Sequence, residues 1–123
     1  MDYTNIKTFE DACAALGLDP NAVLPFATPA NEDQVNDNDV KKLKIIAKAL
    51  KGEHVPNWDN RNEEKRFPVF RKEPSGFGFS LSYCHYAYSF TAVGSRFVFP
   101  SEEVSDYYAN QFIEIHQRVL MFN

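Results

Sequence analysis

The sequence predicts an α+β domain in which a small three-stranded antiparallel sheet is covered on one face by three to four helices. Three observations carry that expectation. Apolar residues recur at three-and-four spacing in segments bounded by helix start and stop signals. Residues 77–99 instead alternate large apolar with small or polar side chains, the period of a half-buried strand. Finally, 123 residues with 44% apolar and 24% charged content suit one core, so a single domain is expected. The aromatic share, 15%, is high and concentrates where the sheet is expected, which a thin sheet under helices needs to fill its core.

Thr8 is placed to cap the first helix, with Glu10 and Asp11 where carboxylates meet the positive end of the helix dipole. Phe9, Ala12, Cys13 and Leu16 form its apolar stripe, and Gly17 suits the left-handed residue that ends it. Asp19-Pro20 repeats the start signal for one further turn through Leu24. Residues 27–38, rich in Asn, Asp, Pro and Thr, read as a polar surface loop. A second helix starts around residues 37–39 and runs to Lys51, stopped by Gly52. On it Val40, Leu43, Ile46, Ala47 and Leu50 share one arc, while Lys41, Lys44, Lys48 and Lys51 line the adjacent arc as a lysine rail. Residues 1–52 are the helical N-terminal part.

In residues 53–75, Pro56, Pro68 and Pro74 exclude a long helix or a central strand. Val55, Trp58, Phe67, Val69 and Phe70 are nonetheless too many large apolar groups for a free linker. An ordered loop pinned by its aromatics is expected, with a helical turn near residues 60–65. From Gly76, the residues Phe77, Phe79, Leu81 and Tyr83 alternate with small ones. Tyr86, Tyr88 and Phe90 follow on the other parity, so a turn or bulge falls near residues 84–86. Val93-Gly94-Ser95 turns the chain, and Arg96-Phe97-Val98-Phe99 makes a last strand ended by Pro100. Such short connections allow only antiparallel pairing, which gives a meander over 76–100. Ser101 caps a C-terminal helix over 101–122, whose stripe of Val104, Tyr108, Phe112, Ile115, Val119 and Phe122 covers the sheet. Ile113 and Leu120 fall on the opposite side, where a monomer shows polar groups, and are the candidates for self-association into a homo-oligomer.

No apolar run approaches the roughly 18 residues of a membrane helix, and the N-terminus lacks the basic-then-apolar order of a secretion signal. A cytoplasmic protein without membrane contact is expected, with Cys13 and Cys84 reduced. The formal charge of −4 argues against general polyanion binding, but the charge is uneven. Residues 1–40 hold one Lys against eight acids, residues 41–72 ten basic residues against four acids, and the remainder two against five. The middle third is the only basic region.

No reactive centre emerges. Cys84 and His85 are adjacent, but neighbours on a strand point to opposite faces and cannot form a dyad by themselves, and nothing places His116 beside either cysteine. The His and Cys spacings match no metal site, so neither metal nor cofactor is expected. Gly76-Phe77-Gly78 lacks the third glycine and the Lys-Ser/Thr pair of a phosphate loop and precedes a strand. Glu63-Glu64 and Glu102-Glu103 read as a solvated loop and a helix N-terminus. Binding is the better reading. Tyr83, Tyr86 and Tyr88 with the lysine rail, Lys65 and Arg66 are the candidates for a single-stranded nucleic-acid surface. Trp58 and Arg96 are of the types enriched at protein interfaces, although a Pro-rich loop also needs Trp58 as an anchor.

Four stretches in order carry a resemblance: Lys42-Leu43-Lys44-Ile45-Ile46-Ala47-Lys48-Ala49-Leu50, Val55-Pro56-Asn57-Trp58-Asp59-Asn60, Lys65-Arg66-Phe67-Pro68-Val69-Phe70, and Gly94-Ser95-Arg96-Phe97-Val98-Phe99-Pro100-Ser101, with Gln111-Phe112 downstream. From about Phe9 onward the chain resembles a family of small uncharacterised proteins encoded by anaerobic gut bacteria, their phages and their mobile elements. It departs from them at Val69, where they carry a Trp, and at Pro100, where a Lys precedes the capping Ser. The resemblance implies a genomic setting and no mechanism. The expectation is a non-enzymatic accessory protein of a phage or mobile element that binds another protein; the alternative is a single-stranded nucleic-acid-binding module using sheet aromatics and the basic middle segment.

Overall fold

A computed structural model describes residues 2–84 and 93–123. In chain order the elements are α1 (Phe9–Leu16), α2 (Glu32–Lys51), β1 (Arg66–Glu73), β2 (Gly76–Cys84), α3 (Glu102–Gln111) and α4 (Ile113–Leu120), with short 3-10 turns at Tyr3–Asn5 and Ser95–Phe97. The class is α+β. Among the described residues the sheet has two antiparallel strands, not the three expected.

Local chemistry sets the first helix as read. The Thr8 hydroxyl accepts from the Asp11 N–H at 3.1 Å and the Asp11 carboxylate accepts from the Thr8 N–H at 3.2 Å, a reciprocal capping box. Gly17 closes α1 at φ 70, where a side chain would be strained. The second helix starts earlier than expected. Asn31 caps it by accepting from the Gln34 N–H at 2.9 Å, with Glu32 and Asp33 in its first turn. The polar run 27–38 is therefore a loop only to Asn31; the remainder is helix whose Asn and Asp residues mostly face solvent. Asn38 is the exception. It is buried, and its amide exchanges two hydrogen bonds with the Phe26 backbone, at 3.0 and 2.8 Å, which pins the connection before α2.

β2 is the first strand of the expected meander, but its partner β1 lies upstream of it. β1 falls in the segment read as loop, because every strand of a two-stranded sheet is an edge and Pro68 interrupts no central ladder. Pro74-Ser75 joins the strands; Pro74 fixes a negative φ, incompatible with the primed turns that suit hairpins, and Gly76 at φ 139 absorbs the mismatch. The expected slip near residues 84–86 lies outside the described residues, as do Tyr86, Tyr88 and Phe90. A slip occurs earlier, between Val69 and Phe70, where Phe70 pairs with Phe79 and leaves Ser80 extra. It splits the alternating run. Phe77 and Phe79 share the inner face with Phe70, whereas Leu81 and Tyr83 share the outer face with Val69 and Phe67.

Arg96-Phe97-Val98-Phe99 is not a strand. Ser95–Phe97 is a 3-10 turn, and Phe99 makes one bridge to Arg66 with backbone bonds of 2.9 and 2.7 Å. Val98 and Phe99 are both fully buried, which a half-exposed strand cannot achieve for consecutive residues. The single helix expected over 101–122 is two helices broken at Phe112, where φ is −115 and ψ 31. No Gly or Pro stands at the break; tertiary packing makes it, with Phe112 buried in the core.

The core is assembled around α2 and α3. α2 packs on α1, α3 and α4, while the hairpin packs on α3 and α4. Tyr108 of α3 is buried against Phe99, with ring centroids 4.7 Å apart, and donates to the Leu43 carbonyl at 3.3 Å. Arg118 of α4 grips the buried Asp39 carboxylate of α2 with two hydrogen bonds of 2.9 and 3.0 Å. Among the described residues no helix is long and apolar enough to cross a membrane.

Candidate binding groove

The lysine rail becomes one wall of a groove. Successive members of Lys41, Lys44, Lys48 and Lys51 rise by about 4.5 to 6 Å along α2, so four ammonium groups line roughly 15 Å of helix. Opposite them, Gly17 ends α1 and the Leu18 N–H returns to the Cys13 carbonyl at 2.8 Å. The Asp19 carbonyl then accepts from Ala22 and Val23 at 3.0 and 3.1 Å, a closed turn that presents Leu18 and Val23 to the rail. Past Gly52, His54, Val55 and Pro56 line the groove at the C-terminal end of α2, where the Ser95–Phe97 turn also brings Arg96 beside Lys51. The groove is open to solvent and has a volume of about 760 Å³, within the roughly 300–1,000 Å³ of ligand clefts.

Two side chains hold that last wall in place. Lys51 Nζ, half-buried, donates to the Ser95 and Arg96 carbonyls at 2.9 and 2.7 Å, and desolvation lowers its pKa. Trp58 Nε1 donates to Ser95 Oγ at 2.6 Å. Trp58 therefore positions the groove from behind, the anchoring role open to it from the sequence, while Arg96 stands in the lining itself. Lys41, Lys44, Lys48 and Arg96 pair with no carboxylate among the described residues, and none of the lining residues is acidic. A chain of net charge −4 thus concentrates unneutralised cations on one concave surface.

The other sequence candidates do not join this site. Lys65 is fully buried, not a surface cation. Its ammonium lies over the Trp58 ring at 5.3 Å, donates to the Asn60 carbonyl at 2.9 Å and pairs with Glu63 at 3.3 Å. Burial pushes the Glu63 carboxyl up, but the Asn57 amide and Lys65 outweigh it and hold the value low. Arg66 is engaged by Glu64 at 2.8 Å, which raises its pKa, and its backbone forms the bridge to Phe99. Tyr83 is 57% exposed on the hairpin's outer face, turned away from α3, beyond which α2 lies. The structure does not bring Tyr83 and the rail together; Tyr86 and Tyr88 lie outside the described residues. Ile113 is half-buried and lines a smaller cleft beside Phe9 and Lys42, whereas Leu120 is 51% exposed next to Met121 and Phe122.

His116 approaches neither cysteine's chemistry. It is buried between Phe70 and Tyr108, at centroid distances of 4.7 and 4.5 Å, with Nε2 unpartnered. Burial pushes its pKa down to about 4 against an opposing backbone bond to Tyr108. Cys13 is in the core, where burial raises its pKa, and Cys84 is half-buried; both are free thiols. No group of three or more His, Cys, Asp or Glu residues able to hold a metal occurs among the described residues.

Sequence reasoning found the rail and Arg96 but missed Leu18, Val23, His54 and Val55. One signal was present: Val55, 78% exposed, precedes a proline in a polar stretch, where nothing in local structure calls for a β-branched residue. Comparison with protein families, curated proteins and solved structures finds no match to this chain, so the functional reading rests on the groove's own chemistry.

Proposed function

We propose that this chain is a non-enzymatic cytoplasmic accessory protein of a phage or mobile element that acts by binding another protein, and that the rail groove is its docking face. The genomic setting comes from the sequence resemblance alone. The binding reading rests on one observation: five cationic side chains, four on α2 and one on Arg96, wall a groove with no internal counter-charge and an aliphatic floor. A lysine face that served only solubility would be convex and open. Here the cations flank Leu16, Leu18, Val23 and Ile45, the mixture of charge and apolar surface that recognises a macromolecular segment.

The test compares the wild-type chain with a Lys44→Glu/Lys48→Glu variant immobilised in nuclease-treated lysate of an anaerobic gut bacterium. A protein retained in stoichiometric amount by the wild type and lost from the variant supports the proposal. Retention indifferent to the two reversals removes the groove from the function, and retention seen only when nuclease treatment is omitted moves it to nucleic acid.

A further inference from the structure

We infer that the occupant of the groove is an acidic segment of a partner protein carrying one or two aliphatic side chains, an inference that rests on the groove being the docking face. Charge complementarity supplies the first argument. The rail's rise of about 4.5 to 6 Å per lysine matches carboxylates three or four positions apart on a helix, or two apart on an extended chain. Lys41, Lys44, Lys48 and Arg96 have no carboxylate partner among the described residues, so an incoming carboxylate gains attraction to them without breaking an existing ion pair.

The floor supplies the second argument. Leu18 and Val55 are exposed apolar side chains at the groove's margin, 38% and 78% accessible, above Val23 and the buried Ile45. They offer seats to aliphatic groups, which an inorganic anion or a phosphate chain lacks. The third argument excludes the polyanion that would compete. Single-stranded nucleic acid gains its sequence-tolerant affinity by stacking bases on aromatic rings, and among the described residues no Phe, Tyr or Trp lines this groove. At about 760 Å³ the groove seats a few residues and not a folded domain.

Fluorescence anisotropy tests this with a labelled peptide of about 15 residues, roughly 22 Å as a helix, built from Glu and Leu with three-and-four spacing. Its Gln-for-Glu analogue and a labelled oligothymidine serve as competitors for the reading. The expected result is binding of the acidic peptide alone, weakened at least about tenfold by Lys44→Glu/Lys48→Glu and also by Val55→Asp. The charge-matched hairpin control Arg71→Glu/Lys72→Glu should leave it unchanged. Circular dichroism of each variant, expected to match the wild type because all these positions reach the surface, separates lost binding from lost fold. Oligothymidine binding that depends on the lysines and ignores Val55 overturns the inference. So does concentration-dependent self-association by light scattering that Lys44→Glu/Lys48→Glu abolishes, since the occupant is then a second copy. If no probe binds while the two reversals still abolish retention from lysate, the acidic-segment inference fails and the docking face stands. If neither assay responds to the reversals, both fail.

Discussion

Acidification should destabilise this fold through His116 well before its carboxylates protonate. The ring is 4% exposed between Phe70 and Tyr108, and its Nε2 has no hydrogen-bond partner among the described residues. Its folded pKa is about 4 against the ordinary 6.5. Between those values the unfolded chain binds the proton and the folded chain does not, so stability rises with pH across this window and is lost as pH falls through it. Linkage with these two values removes about 2 kcal/mol between pH 7 and pH 5, and about 3 kcal/mol by pH 4. A domain of this size shifts its melting temperature by about 4 °C per kcal/mol, so the first step corresponds to roughly 8 °C. Urea denaturation at pH 7, 6 and 5 measures the loss, with His116→Leu as the paired variant. Leucine fills most of the ring's space and carries no proton. The variant should start somewhat less stable, for want of the bond to Tyr108, and should stay nearly flat from pH 7 to 5. A wild type flat over that range, or a variant that falls in parallel with it, refutes the assignment to His116.

Three further outcomes follow from the packing and charge described. Lys44→Glu should stabilise the fold by about half a kcal/mol, because it relieves repulsion from Lys41 and Lys48 at helical spacing, while it weakens binding at the groove; thermal melts and anisotropy read the two signs separately. Arg118→Ala should cost about 1–2 kcal/mol by leaving the buried Asp39 carboxylate without its guanidinium, a figure reduced by the half-exposure of Arg118 itself; Asp39→Asn in the same background should add little, which a double-mutant cycle measures. Deleting Ser80 removes the extra residue, so Val69–Leu81 and Phe70–Phe79 become adjacent pairs of a regular ladder with Phe77 and Phe79 still on the inner face; the expected change in stability by urea denaturation is within about 1 kcal/mol, and a loss of about 2–3 kcal/mol with dye binding to exposed rings would refute the register.

What could be read from the sequence divides along the range of the interactions involved. Caps and stripes act within one or two turns, so α1 was legible to the residue and the buried arc of α2 at Leu43, Ile46, Ala47 and Leu50 was too. Composition misled over residues 32–38, because a solvent-facing helical turn and a loop share the same preference for Asn and Asp; the capping Asn31 was the distinguishing signal. Alternation showed that Phe77 to Tyr83 is a strand, but parity is only a local rule. The extra Ser80 depends on what β1 and α4 present opposite, and it sends the two halves of one alternating run to different faces. The break at Phe112 has no local signal, since neither Gly nor Pro stands there and Phe112 itself is buried in the core.

The candidate site follows the same division, and this explains why its cations were visible and its shape was not. Helical periodicity fixes the rail, since Lys41, Lys44, Lys48 and Lys51 share a face of any helix that contains them. Whether such a face is a solvated exterior or the wall of a groove depends on residues 18–23, 54–56 and 95–96, which reach α2 only after the chain has folded. Two contacts make that decision: Lys51 holding the Ser95 and Arg96 carbonyls, and Trp58 holding the Ser95 hydroxyl. One member of the rail is therefore spent on building the wall that the other three face. Lys51→Ala should open the groove at the Arg96 end and weaken the acidic peptide by more than the loss of one surface charge, roughly tenfold against about threefold. An effect no larger than that of Lys41→Ala would show that the wall stands without it.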